Sequence, residues 1–153
     1  RDPEMSRGLG DVYKRQLYLC MTVLLPYHEF LSGSHWLYMF GHAGWLHYLL
    51  NGMAWAFLWK VITPARTLVA WMFAVGISFF IPSGSPVIGW SVIIYYYTGL
   101  CLSSMDGGRR NRLFAITALG FFLPHIAGGY HAAMLAAGWI LRKLEVGWQR
   151  TLK

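Results

Sequence analysis

Charge is what this chain has least of. Only 12% of its 153 residues are Asp, Glu, Lys or Arg, where an ordinary soluble domain carries about 25%. Six residues are acidic, and Asp2, Glu4 and Asp11 among them lie near the start. Lys and Arg are missing altogether from 17–59, 67–108 and 113–141. With only Cys20 and Cys101, the chain holds no disulfide framework and no cysteine-based metal motif. It also lacks internal repeats and low-complexity linkers, so a single domain is the natural organisation.

What fills the space is apolar: 56% of the residues are hydrophobic and 17% aromatic. A soluble core of this size cannot hide that much apolar surface behind so few charges. The net charge of +7 would suggest nucleic acid in a soluble protein, but its distribution argues otherwise. The bases fall in four blocks: 1–15, Lys60 with Arg66, 109–112, and 142–153. Each gap between blocks has room for two crossings and a turn. That is the positive-inside pattern of six membrane spans with both termini in the cytoplasm. Nucleic-acid binding is set aside, and a lipid bilayer is the expected surrounding.

Taken in order, residues 1–16 read as non-native. The run 11–16, D-V-Y-K-R-Q, resembles the translation of a sequencing-library adapter, and 1–10 looks equally foreign. The domain proper is then 17–153, with a first span, 17–27, only about half the ~20 residues that a crossing needs. An aromatic, His-rich external loop follows over 27–41, containing His28 and His35. The remaining spans are expected near 42–59, 67–81, 89–105, 113–123 and 130–141, with 124–129 as the last return loop. Ser83 and Ser85 fall in a Pro/Gly-rich turn. Trp59, Trp71 and Trp139 read as interfacial or packing rings.

The polar residues converge at one depth in this scheme. Asn51 lies nine residues before Lys60, Ser91 fifteen before Asp106, and His131 eleven before Arg142. At ~1.5 Å per helical residue these offsets are about 14–23 Å from the inner boundary of a ~30 Å core. Polar groups there are costly unless they pair or line a cavity, so a cluster reads as a functional site. His47 and Asn51 share a helix face, as do Ser91, Tyr95 and Gly99.

One chemistry uses serine, histidine and an amide donor together, namely nucleophilic acyl transfer. A serine hydroxyl needs a base to take its proton, and His131 is the candidate. Glu29 is alone in the external loop and the other acids are cytoplasmic in this scheme. The sequence therefore points to a Ser–His dyad rather than a triad with a carboxylate. Tyr95, one turn from Ser91, could stack on the imidazole. His47, Asn51 and the Ser91 backbone N–H could serve as oxyanion donors.

Three motifs carry a resemblance: H-A-G-W-L-H-Y-L-L-N from His42 to Asn51, G-W-S-V-I-I-Y-Y-Y-T-G from Gly89 to Gly99, and H-A-A-M-L-A-A-G from His131 to Gly138. In this order they resemble the signatures of the rhomboid family of intramembrane serine proteases, over about 36–141. The resemblance implies an all-α, six-span polytopic bundle with an incomplete first helix, in a bacterial inner membrane. It implies a Ser91–His131 catalytic dyad, oxyanion support from His47 and Asn51, and Tyr95 packed on His131. Transmembrane proteins would be the substrates, cut near the outer membrane face without metal or cofactor. The 113–123 span and the 124–129 loop would be the parts that move to admit them, with Gly128 and Gly129 permitting the motion.

His42 reads as a brace between the external loop and the second span. Gly89, Gly99 and Gly138 read as close-packing positions. The sequence departs from the family at three places. Val92 replaces the glycine that commonly follows the serine, and a larger residue there could crowd the scissile bond or narrow specificity. Met134 stands where a glycine is frequent, and Trp36-Leu37 replaces a Trp-Arg pair in the external loop. His125, in H-I-A-G, is an alternative base, disfavoured because too few residues after Arg112 would remain for a crossing and a turn. Two other readings stand beside the protease: an inactive rhomboid-like scaffold that binds transmembrane helices, and a haem or metal protein using His42, His47 and His131.

Overall fold

The computed structural model describes residues 12–16, 18–19, 34–81, 87–123 and 127–151. Among these there is no strand. Five helices carry the fold: α1 (Trp45–Phe57), α2 (Pro64–Phe80), α3 (Ser91–Cys101), α4 (Gly107–Leu119) and α5 (Gly128–Thr151). Short 3-10 turns, Tyr38–Phe40 and Leu102–Ser104, precede the site and continue α3. Most of the first span, with Cys20, His28, Glu29, Ser83, Ser85 and His125, lies outside the described residues.

Local chemistry starts these helices. The Thr63 hydroxyl accepts from the Arg66 N–H at 3.3 Å, with Pro64 at the first helical position of α2. The Asp106 carboxylate accepts from the Arg109 N–H at 2.9 Å and opens α4. That hydrogen bond, with the neighbouring Arg109 and Arg112 charges, holds the exposed Asp106 carboxyl below its ordinary pKa.

Helix α3 is the centre. Seven of its eleven residues are buried, on several faces rather than along one stripe. Its main partner is α5, and small residues set the distance between them. A Cβ on Gly99 would meet the Leu135 carbonyl and lie 2.9 Å from the Trp139 nitrogen. A Cβ on Gly138 would meet the Tyr96 carbonyl and lie 3.1 Å from the Leu100 nitrogen. Both glycines therefore permit backbone contact between the helices.

Hydrogen bonds tie the other elements to this pair. The Tyr97 hydroxyl lies 2.7 Å from Thr67 Oγ1 and reaches the Thr63 carbonyl at 3.2 Å, fixing α2 to α3. Tyr130 donates to the Ile81 carbonyl at 3.1 Å, and Tyr38 to the Ala74 carbonyl at 2.9 Å. Trp55 of α1 packs edge-on to Trp90 and Tyr97. At the opposite end from the site, Glu145 bonds Arg66 at 3.0 Å and Arg142 at 3.2 Å.

The helical expectation holds, but the six-span bundle does not. No described helix is both long and apolar enough to cross a membrane. Helix α1 has 13 residues and α2 has 17, about 20 and 26 Å at ~1.5 Å per residue, short of a ~30 Å core. Helix α5 has 24, but Arg142, Lys143, Glu145 and Arg150 occupy its second half. The polytopic fold, the integral placement in a bacterial inner membrane and the cytoplasmic assignment of the termini are corrected on this ground. The stretches expected as spans at 42–59 and 89–105 lose residues to turns and caps, leaving the shorter helices Trp45–Phe57 and Ser91–Cys101.

The molecule nonetheless exposes large apolar side chains along α1 (Leu46, Leu50, Met53, Phe57) and α2 (Leu68, Met72, Phe80). Exposed apolar surface on this scale marks a contact surface. At the N-terminal side, Lys14 donates to the Trp59 carbonyl at 2.9 Å, and Tyr18 stacks on Tyr48 at 4.7 Å. The segment read as foreign thus contacts the α1 end of the fold.

Candidate active site

Two helix N-termini meet at the site. Ser91 is the first residue of α3, where backbone N–H groups stand outside the intrahelical ladder. His131 lies in the first turn of α5, with its N–H on the Ala127 carbonyl at 3.0 Å. The close α3–α5 packing through Gly99 and Gly138 brings these termini together. Ser91 Oγ stands 2.9 Å from His131 Nε2 across forty residues of sequence. When Nε2 is unprotonated it accepts the serine proton, the arrangement a general base requires.

Tyr95 stacks on His131 with ring centroids 4.2 Å apart and planes 5° from parallel. One turn after Ser91, it holds the imidazole from the α3 side. Among the described residues, the acids Asp106 and Glu145 are engaged with arginines away from this pair. Burial, with a smaller contribution from the nearby His47, lowers the His131 pKa to about 4. The ring is therefore neutral, and basic, across the neutral pH range.

His47, on α1, lies near enough to His131 to contribute to its lowered pKa. Its Nδ1 accepts from the Ala43 N–H at 3.4 Å, which leaves the proton of the neutral ring on Nε2. That ring lies directly over Gly89, where a Cβ would come within 2.8 Å of Nε2. Gly89 has φ +126°, and its N–H donates to the Tyr38 carbonyl at 3.1 Å. A side chain at Gly89 is thus excluded twice, by backbone conformation and by the imidazole. Burial lowers the His47 pKa, so this ring too favours its neutral form.

Asn51, one turn below His47 on α1, is buried, and its Nδ2 has no hydrogen-bond partner among the described residues. The indole N–H groups of Trp55 and Trp90 and the Tyr96 hydroxyl share this condition. His42 is fully buried, edge-on to the rings of His47 and Tyr48 at 5.2 and 5.3 Å. Burial first and then the His47 neighbour lower its pKa to about 4. Its place is between the 34–41 segment and α1, as a packing support for His47.

The departures take definite positions. Val92 is buried in the core at 1% exposure, turned about 100° around α3 from Ser91. It packs into the core around α3. Met134 is fully buried, one turn after His131 on α5. Before α1 the Trp36 carbonyl accepts from Trp71 Nε1 at 3.0 Å, and His35 Nδ1 lies 2.9 Å from Ser78 Oγ. Tyr38 and Ala43 act on the site only through backbone atoms, so no side-chain motif announces them.

No group of histidines, cysteines or acids able to hold a metal exists among the described residues. Comparison with protein-family models, curated proteins and solved structures finds no match to this chain.

Proposed function

We propose that the protein is a serine endopeptidase of the rhomboid type, in which Ser91 is the nucleophile and His131 the general base. The 2.9 Å Oγ–Nε2 contact, backed by the parallel Tyr95 ring, carries this reading. Ser91 Oγ attacks the scissile carbonyl carbon as His131 Nε2 takes its proton. The tetrahedral oxyanion is met by the Ser91 N–H, His47 Nε2–H and Asn51 Nδ2–H, each such donor being worth about 10²–10³ in rate. His131 then returns the proton to the leaving amine, and an acyl-Ser91 intermediate remains. Water attacks that ester with His131 again as base, which regenerates the serine. No metal or cofactor enters the sequence of steps.

The substrate class is the apolar helical segment of a membrane protein, and lipid is the companion of the exposed apolar side chains on α1 and α2. Support for both comes from that surface and from the motif resemblance.

The test is labelling by a fluorophosphonate probe in detergent. Labelling of the wild type that is lost in Ser91→Ala and His131→Ala supports the proposal. A folded wild-type protein that does not label sinks it and favours a scaffold that binds apolar helices without cutting them.

A further inference from the structure

Two cavities lie along α5: the larger reaches Ala132, beside His131, and the smaller sits by the charged second half of the helix. The larger, about 720 Å³, runs between α4 and α5 and is lined chiefly by Phe114, Ala118, Phe121, Leu135, Ala136 and Trp139. The smaller, about 390 Å³, lies among the end of α3, the start of α2 and the second half of α5. Ser103 and Lys143 border both, so the two adjoin at these residues. Both volumes fall in the range of about 300–1,000 Å³ typical of small-ligand sites.

The two halves differ in chemistry. The larger is apolar apart from its rim, where Arg110 and Lys143 stand, and the Lys143 ammonium lies 5.9 Å above the Trp139 ring. The smaller carries four cations, Arg66, Arg142, Lys143 and Arg150. Among the described residues the single carboxylate beside them is Glu145, bonded to Arg66 and Arg142. One negative charge against four leaves an uncompensated positive field over the recess. A long apolar channel that opens into such a field matches a molecule with an apolar tail and an anionic head.

We propose that this recess binds an anionic phospholipid, with its phosphate among Arg142, Lys143 and Arg150 and an acyl chain along the α4–α5 channel. The planar arginine fork pairs bidentately with two oxygens of a phosphate, and Lys143 supplies a point charge at the junction. Helix α4 buries only Thr117 among its own residues, so an acyl chain would supply apolar packing that the helix otherwise lacks. The headgroup cations lie eleven or more residues along α5 from His131, and the proposal does not depend on the Ser91–His131 pair being catalytic.

The experiment is titration of detergent-solubilised protein with fluorescent phosphatidylglycerol. Phosphatidylcholine of the same chains tests the charge, and inorganic phosphate as competitor tests the tail. Saturable binding of phosphatidylglycerol, at least tenfold tighter than phosphatidylcholine and poorly displaced by phosphate, is expected. The double variant Lys143→Gln/Arg150→Gln should lose about tenfold in affinity, and Ala118→Phe, which fills the channel, a similar factor. Fluorophosphonate labelling should be unchanged in each. Equal binding of the two lipids overturns the headgroup assignment, and full displacement by phosphate overturns the acyl channel. Wild-type affinity in Ala118→Phe does the same, and this variant decides the matter if the double variant fails to fold.

Discussion

Gly138 of α5 rests against the main-chain carbonyl of Tyr96 on α3, with no space for a β-carbon between them. The contact lies two turns beyond His131, and it sets the separation at which His131 Nε2 meets Ser91 Oγ. Gly138→Ala forces backbone against backbone. Overpacking of this kind costs about 1–3 kcal/mol, and a shift of ~1 Å in a reacting group can cost about 10² in rate. A lower melting temperature together with at least tenfold slower labelling is expected. Unchanged labelling would separate the helix contact from the site.

The Tyr95 ring rather than its hydroxyl should matter to His131. Tyr95→Phe keeps the 4.2 Å stack and should label within about twofold of wild type, whereas Tyr95→Ala loses an aromatic pairing worth about 0.5–1.5 kcal/mol. The alanine variant should label roughly threefold to tenfold more slowly. Equal loss in both variants would transfer the role to the hydroxyl.

Asn51 offers a cleaner division between chemistry and folding. Its Nδ2 bonds nothing among the described residues, so Asn51→Ala removes no donated bond from that atom. Peptide cleavage should fall by about 10²–10³, as for loss of one oxyanion donor, with the melting temperature held within a few degrees. A large fall in both would make Asn51 a structural residue.

Acid should act on the protein in two ways. His131 must be unprotonated to accept the serine proton, so activity is present above its pKa of about 4 and is lost as pH falls through it. The acid limb of the labelling rate should therefore lie well below the ordinary imidazole value near 6.5. For stability, His42, His47 and His131 all have lowered native pKa values, principally through burial. Below about pH 6.5 the unfolded chain gains protons on these rings that the native protein does not. Stability should fall from there toward pH 4, measured by melting temperature against pH. A flat curve over that interval would mean that the three rings protonate freely in the native state.

Gly128 behaves in the structure as a packing residue. A Cβ there would approach the Phe121 nitrogen at 2.7 Å and the Gly120 carbonyl at 2.8 Å. Gly128→Ala should push the end of α4 from the start of α5 and lower the melting temperature. Cleavage of a protein substrate should slow more than labelling by a small probe, because α4 borders the open side of α5. Parallel loss of both rates would place the damage at His131 instead.

Much of the candidate site was legible in the chain itself. Four-residue spacing put His47 above Asn51 and Ser91 above Tyr95, since such pairs share a helix face whatever surrounds them. Gly89, Gly99 and Gly138 stood out as positions of close approach, and each meets a neighbour where a Cβ would lie. Val92 could not be placed in this way, because a residue beside the serine in sequence faces either the site or the core according to what packs there.

Spacing along the chain determined the helical character, the small set of polar residues and the shared faces. Tertiary structure decided the rest: the pairing of Ser91 with His131 across two helices, the Tyr38 and Ala43 backbone groups that set Gly89 and His47, and the cations that gather around one recess. It also decided that α1 and α2 end short of a full crossing while their apolar side chains stay exposed. The physical reason is that helical periodicity is local, repeating every 3.6 residues. Distances between helices depend on which side chains, or which missing β-carbons, meet where they pack.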